Sequence, residues 1–321
     1  MPYSIEDTFV VAVASSALFD LTESDGVFRE QGVEPYRRYQ RAYANVVLLP
    51  GVAFPFIRRL LNLNLSVEGE HLVEVVLLSR NDPDTGLRVF KSIAHYRLGI
   101  TRAAFVSGRD PHPYMDAFNA SLLLSANRDD VKRAVMKGLP AGQVFKTDFI
   151  DDEREHELRI AFDFDGVVAD DAAEEVYQKD GLEVLTATEK AQAQEALRAG
   201  PLKRFLQQIA EVQQREIARQ KRDTNYRPQI RTAIMTARNA PAHERVVITL
   251  RDWGIQVDEA YFLGGMDKGR ILKEFRPHMF FDDQLVHIEK VAGAVSSVHV
   301  PFAVTNRLKS DDEDERMVHH S

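Results

Sequence analysis

Apolar positions in this chain come in short runs, each followed by a polar turn and then by a stretch of helical period. Phe9–Ala14 (FVVAVA), Leu72–Leu78 (LVEVVLL), Ile100–Val106 and Ala120–Leu124 are such runs. At this length, and bounded by turn residues, they predict buried strands. Glu34–Ala44 (EPYRRYQRAYA) and Leu87–Tyr96 predict helices, the second entered through the turn-rich Ser79–Gly86 (SRNDPDTG). Strand and helix alternate, so the pattern predicts a parallel α/β sheet with helices on both faces and right-handed crossovers. Residues 141–157 are polar and acidic and read as a connection.

The alternation resumes at Leu158. Leu158–Asp171 reads LRIAFDFDGVVADD, an apolar run that stops on Asp163, with a second carboxylate at Asp165 and a glycine at Gly166. In a parallel sheet such a strand delivers both carboxylates to the carboxyl edge, where ligands bind, and the glycine lets the chain turn away at once. From Ala172 to about Gln220 the strand signal fades. Two or three helices are expected there, with a break at Gly200-Pro201, and are expected to cap the crevice. Strands return at Arg231–Met235, Ala260–Leu263, His278–Phe281 and Ser297–Val300, with helices at 242–253 and after the loop GGMDKG as far as Phe275. The expected division is a non-catalytic amino-terminal α/β half at 1–150, a catalytic domain at 151–307 with its cap at about 171–228, and an acidic, disordered tail at 308–321.

Composition narrows the classes. With 321 residues, 44% hydrophobic and 28% charged, the chain can bury ordinary cores, as two domains or as one with an insertion. A net charge of −8 argues against nucleic acid as a partner. There is no long apolar run and no signal-like amino terminus, which predicts no membrane association and a cytoplasmic location. The lack of cysteine removes disulfides, iron–sulfur clusters, thiolate zinc and a cysteine nucleophile. No His-x-x-x-His spacing occurs either, so any metal is expected on oxygen ligands.

The residues that carry chemistry fall in one place. Asp163 and Asp165, Thr236, Lys268, and Asp282 with Asp283 each sit just past a predicted strand or in the loop after it, so one crevice collects them. Three or four carboxylates facing a phosphate dianion would repel it by about 3 kcal/mol per pair, at roughly 5 Å and an effective dielectric near 20. Such a cluster makes sense around a cation, and oxygen ligands with open positions point to Mg²⁺.

The order DFDGV at 163–167, Thr236 in IMTAR, Lys268 in GGMDKG and FFDD at 280–283 resembles the motifs of the haloacid dehalogenase-like (HAD) phosphohydrolases. More narrowly, NDPDTGLRV at 81–89, ITRAAF at 100–105, GPLK at 200–203, MTAR at 235–238 and RPHMFFDDQ at 276–284 resemble the cytosolic 5′-nucleotidase I family, over about Phe9 to Pro301. Nucleotidases of this group carry DGDAV where this chain has DFDGV; both carboxylates are kept and the side chain between them differs. The resemblance implies a HAD-like fold and Mg²⁺-dependent hydrolysis of a nucleoside 5′-monophosphate, AMP or IMP foremost, through an aspartyl-phosphate. It implies Asp163 as nucleophile and Asp165 as general acid and base. Thr236, Ala237, Arg238 and Lys268 fall to the phosphate, and Asp163, Asp165, Asp282 and Asp283 to the metal. A HAD-type phosphatase for another small phosphate ester and a non-catalytic nucleotide-binding protein stay open, as does a homo-oligomer.

The first half also reads as a worn copy of the second. Phe105 and Phe262, Gly108 and Gly265, Asp110 and Asp267, Phe118 and Phe275, and Ser125 and Asp282 are each 157 positions apart. On this pattern the counterparts of Asp163, Asp165, Lys268 and Asp282 are Ala14, Ser16, Pro111 and Ser125. A crevice stripped of its carboxylates leaves hydroxyls such as Ser16 and Ser79, with Arg80 and Arg109, as expected anion contacts. The resemblance implies a nucleotide effector as a candidate occupant.

Overall fold

The computed structural model describes residues 5, 6, 8–65, 71–238 and 242–302, without some side chains in the helix Ala172–Ala191. The tail expected at 308–321 lies outside the described residues. The chain divides into two compact units, Met1–Leu158 and Arg159–Ser321.

In the first unit, β1 (Phe9–Val13), β2 (Val73–Ser79), β3 (Arg102–Phe105), β4 (Ala120–Ser125) and β5 (Ala141–Val144) run in the order β3-β2-β1-β4-β5. Their pairings are parallel. β1, β2 and β4 are buried along their whole length, as strands covered by helices on both faces must be, which is why they read as nearly continuous apolar runs. Val10, Ala12, Val76, Leu78 and Leu123 pack in one core with Met115 and Val131 from the following helices.

Two features of this unit depart from the pattern. Ala141–Val144, read as part of a connection, is a strand whose Ala141 and Gly142 stand beside Leu123 and Leu124 of β4. With a glycine and a glutamine among four residues, AGQV has almost no strand signal of its own; the hydrogen-bonding edge of β4 supplies the order. Helices at Thr22–Gln31 and Phe54–Asn62 were also not anticipated. The first is polar and carries Gly26, while the second buries Phe54, Phe56, Ile57, Leu60 and Leu61, an apolar run too dense to reveal its period.

In the second unit, β6 (Leu158–Asp163), β7 (Ile230–Thr236), β8 (Glu259–Phe262), β9 (Met279–Asp282) and β10 (Ser297–His299) run in the order β10-β9-β6-β7-β8. β9 pairs in parallel with β6 and β10, and β7 with β8. Phe162 of β6 stacks on Phe281 of β9 with centroids 5.1 Å apart, and Phe205 meets Phe281 edge-on at 5.6 Å. Phe205 belongs to the helix Lys203–Arg222, which buries Leu206, Ile209 and Val212 as well. This helix, expected within the cap, therefore lies on the face of the sheet as the crossover from β6 to β7. The helix Ala172–Ala191 supplies the part of the segment that reaches the crevice, and it is broken at Gly181, whose φ is 83°.

Candidate active site

Each chemistry-bearing residue predicted from the strand ends is found at or just past the carboxyl ends of the second unit's strands. Asp163 is the last residue of β6, Thr236 of β7 and Asp282 of β9, and Lys268 opens the helix that follows β8. That helix starts well because Asp267 caps it, its carboxylate accepting from the Gly269 N–H at 2.9 Å. The Lys268 ammonium then reaches back to Asp163 at 2.7 Å and to Asp282 at 2.8 Å. His287, from the helix Leu285–Val291, places Nδ1 3.1 Å from either oxygen of Asp282. Backbone N–H groups fix both carboxylates: Phe164 donates to Asp163 and Gln284 to Asp282, each at 2.8 Å.

Gly166 makes the turn after Asp165 feasible. Its φ is +76°, and a Cβ there would sit 2.8 Å from the Asp283 carboxyl carbon. Left-handed backbone and close approach both demand glycine. The tight turn leaves room for Asp283, 4% exposed, beside the Asp163–Asp165 loop.

Asp165 belongs to a second group of contacts. Arg238 holds it through Nε at 2.9 Å and Nη2 at 2.7 Å, a fork that grips both carboxylate oxygens. Thr236 Oγ1 donates to Asp165 at 3.4 Å and accepts from the Arg238 N–H at 3.1 Å. Ala237 lies exposed at the bend between them. The other arm of Arg238 is ion-paired to Glu189, which in turn binds Arg245 at 2.9 Å. Sequence reasoning missed Glu189, Arg245 and His287. All three lie inside helices rather than at strand ends, so neither spacing nor turn chemistry marks them.

The sequence profile of 5′-nucleotidases matches residues 1–307. The chain belongs to the 5′-nucleotidase family. It is 34% identical over 294 residues to human cytosolic 5′-nucleotidase 1B, covering 90% of this chain and 48% of that protein. It thus spans about half the length of that curated relative. Among solved structures, histidinol dehydrogenase from Elizabethkingia anophelis matches at 11% identity over 76% of this chain and 49% of its own, with a TM-score of 0.22, too low a likeness to bear on the fold.

In this member of the 5′-nucleotidase family the buried charges are out of balance. Burial pushes the Asp163 carboxyl up to about 7 against the pull of Lys268, with the charge of Asp282 adding to the rise. Asp283 is pushed up to about 9, first by burial and then by the negative charges of Asp163 and Asp282. Lys268 is held above the usual lysine range by those two aspartates, which outweigh its own burial. Burial opposes ionisation of Asp282 as well, but Lys268 and His287 overcome it and hold its carboxyl below the ordinary range. One ammonium does not neutralise three crowded carboxyls, so the pocket is built for more positive charge than the protein brings. Asp163, Asp282 and His287 offer ligand atoms within 4.8 Å of one another, and this donor set fits a divalent cation. No helix among the described residues is long and apolar enough to cross a membrane.

Proposed function

We propose that this protein hydrolyses nucleoside 5′-monophosphates, AMP or IMP foremost, to nucleoside and inorganic phosphate with Mg²⁺ as cofactor. The observation that carries the reading is Lys268 held between Asp163 and Asp282, with Asp165 two residues beyond Asp163 in the same crevice. Asp163 attacks phosphorus through a carboxylate oxygen, and the bond from phosphorus to the ribose 5′-oxygen breaks. Asp165 gives that oxygen its proton, so the nucleoside leaves as an alcohol and the enzyme holds an aspartyl-phosphate. Water then attacks phosphorus, returning its proton to Asp165, and free Asp163 and phosphate are restored.

Lys268 balances charge on the nucleophile and on the transferring phosphoryl group. Thr236 donates its hydroxyl to a phosphate oxygen, and the exposed bend lends the Ala237 backbone N–H. Arg238 covers Asp165 with two hydrogen bonds, and an incoming phosphate dianion competes for that guanidinium, freeing Asp165 for the leaving oxygen. Asp163, the backbone carbonyl of Asp165, Asp282 and Asp283 would hold Mg²⁺, which supplies charge neutralisation and orientation of the phosphate when bound. The family membership supports this assignment, as does the clustering of Asp163 with Asp282, the two ligands it shares with the donor set described above.

Phosphate release from AMP, IMP and their deoxy and pyrimidine counterparts, with Mg²⁺ and after EDTA treatment, tests it. Release from nucleoside 5′-monophosphates that stops in EDTA and returns with Mg²⁺ is the expected result. Preference for a sugar phosphate, or release that ignores EDTA, would overturn it.

A further inference from the structure

The crevice of the first unit holds a cavity of about 820 Å³ at the carboxyl ends of its strands. That volume lies within the range of sites for small metabolites, about 300–1,000 Å³. The floor is hydroxyl and amide. Buried Ser79, at the end of β2, places its Oγ 3.0 Å from that of Ser15 and accepts from the Asn81 N–H at 3.2 Å. One wall is apolar: Phe28 and Val33 are about half exposed, at 49% and 50%, and Tyr36 meets Phe28 edge-on at 5.7 Å. An open phenyl face on a surface of this kind suits a planar ring.

Charge decides what that ring carries. Four arginines and four aspartates line the cavity, so their formal charges cancel. Arg80, expected from the sequence to contact an anion, binds Asp130 at 2.8 Å, and Arg37 binds Asp82 at 2.9 Å. Two of the four guanidinium groups are thus engaged within the protein. Asp25 is the reverse case. Its half-buried side chain lines the cavity, and among the described residues no donor reaches its carboxyl, which burial pushes above the usual carboxylate range against the pull of the nearby Arg29 charge. A carboxylate in that position repels an anion and accepts from a hydroxyl or an amine.

We propose that the first-unit crevice binds an uncharged nucleoside without a metal, its heterocycle on Phe28 and its ribose diol on Asp25. Such a ligand is also the product of the hydrolysis proposed above, and the proposal rests on that reading only for where the ligand comes from. Ser107, at the cavity's lip, holds a φ of 50° where the second unit has Gly264 at 56°. The lip therefore keeps its left-handed form even where the residue carries a side chain.

Calorimetric titration of adenosine and uridine into the full chain in EDTA tests the proposal, with unfolding followed by circular dichroism to confirm that each variant folds. One nucleoside should bind per chain, at least tenfold more weakly in Phe28→Ala and in Asp25→Ala, while Phe28→Tyr retains it. AMP and inorganic phosphate should bind at least tenfold more weakly than adenosine at this site. Absence of nucleoside binding overturns the proposal, and so does binding that neither alanine change alters, since it would then lie elsewhere. AMP binding as tight as that of adenosine, and lost in the same two variants, would make the crevice an anion site instead. Failure of the nucleotidase reading shows independently, as no phosphate release in the activity assay, and leaves this titration unaffected.

Discussion

The two units share a scaffold and differ in what they do with its carboxyl edge. Strand order is the same in both, β3-β2-β1-β4-β5 in one and β8-β7-β6-β9-β10 in the other. The left-handed positions correspond too: Arg97 and Gly254, Ser107 and Gly264, Gly108 and Gly265, Asn119 and Arg276 all have positive φ and are paired at a separation of 157. Non-glycine residues rarely adopt this conformation, so four coincidences at one spacing mark repeated backbone geometry. In the second unit, the strand ends carry Asp163, Thr236 and Asp282, and the crevice is filled by ion pairs to Lys268 and Arg238. In the first, Ala14, Ser79 and Ser125 follow or end the corresponding strands, and a cavity lies there instead. With Ala14 and Ser125 in place of Asp163 and Asp282, the first unit lacks the two carboxylates that Lys268 bridges in the second. What remains is a cavity with a hydroxyl floor, an apolar wall and charges that cancel.

The strongest way to break this contrast is to give the second unit the first unit's chemistry. Asp163→Asn should lower phosphate release from AMP by roughly 10⁴-fold or more, because an amide is neither a nucleophile nor a good metal ligand. Full activity in that variant would remove the proposed mechanism. Asp165→Asn should still admit phosphate but slow turnover by roughly 10²–10⁴, the usual share of general acid–base catalysis; equal kcat values for variant and parent would mean that proton transfer lies elsewhere.

A smaller effect concerns stability and pH. Asp163 and Asp283 have folded-state pKa values of about 7 and about 9 against 3.8 for an ordinary aspartate. Between about 4 and 9 the folded metal-free protein therefore holds more protons than the unfolded chain, and its stability falls as pH rises through that window. The melting temperature in EDTA should drop from pH 5 to pH 9 by at least about 3 °C, a shift worth roughly 1 kcal/mol in a domain of this size. Saturating Mg²⁺ should flatten the slope. A flat profile in EDTA would show that the second crevice does not carry the excess negative charge described here.

The smallest expected effect sharpens the likeness rather than the difference. Gly108 and Gly265 have φ of +82° and +85°, and at neither would a Cβ meet anything within 4 Å. Gly108→Ala and Gly265→Ala should each cost about 1–2 kcal/mol, from backbone conformation alone, measured by urea unfolding. Costs that differ by more than about 1 kcal/mol would mean that the two loops are held by different forces.

The sequence by itself determined most of the strands and which polar residues end three of them. Apolar runs that end on Asp163, Thr236 and Asp282 could be located to within a residue or two, because burial on both faces forces a continuous apolar run and a functional strand end interrupts it with a polar residue. Parallel order put those ends on one edge, so the cluster could be anticipated before any distance was known. The tertiary structure decided the rest, where the cause is a neighbour and not a local preference. AGQV at 141–144 is a strand because β4 offers it a ladder. The helix Lys203–Arg222 covers the sheet and not the crevice because Phe205 finds Phe162 and Phe281 there. Glu189, Arg245 and His287 join the site through contacts 49, 56 and 5 positions away in sequence. The cavity of the first unit, too, is a property of packing: composition says that the carboxylates are missing, and only the fold shows whether the space they leave collapses or stays open.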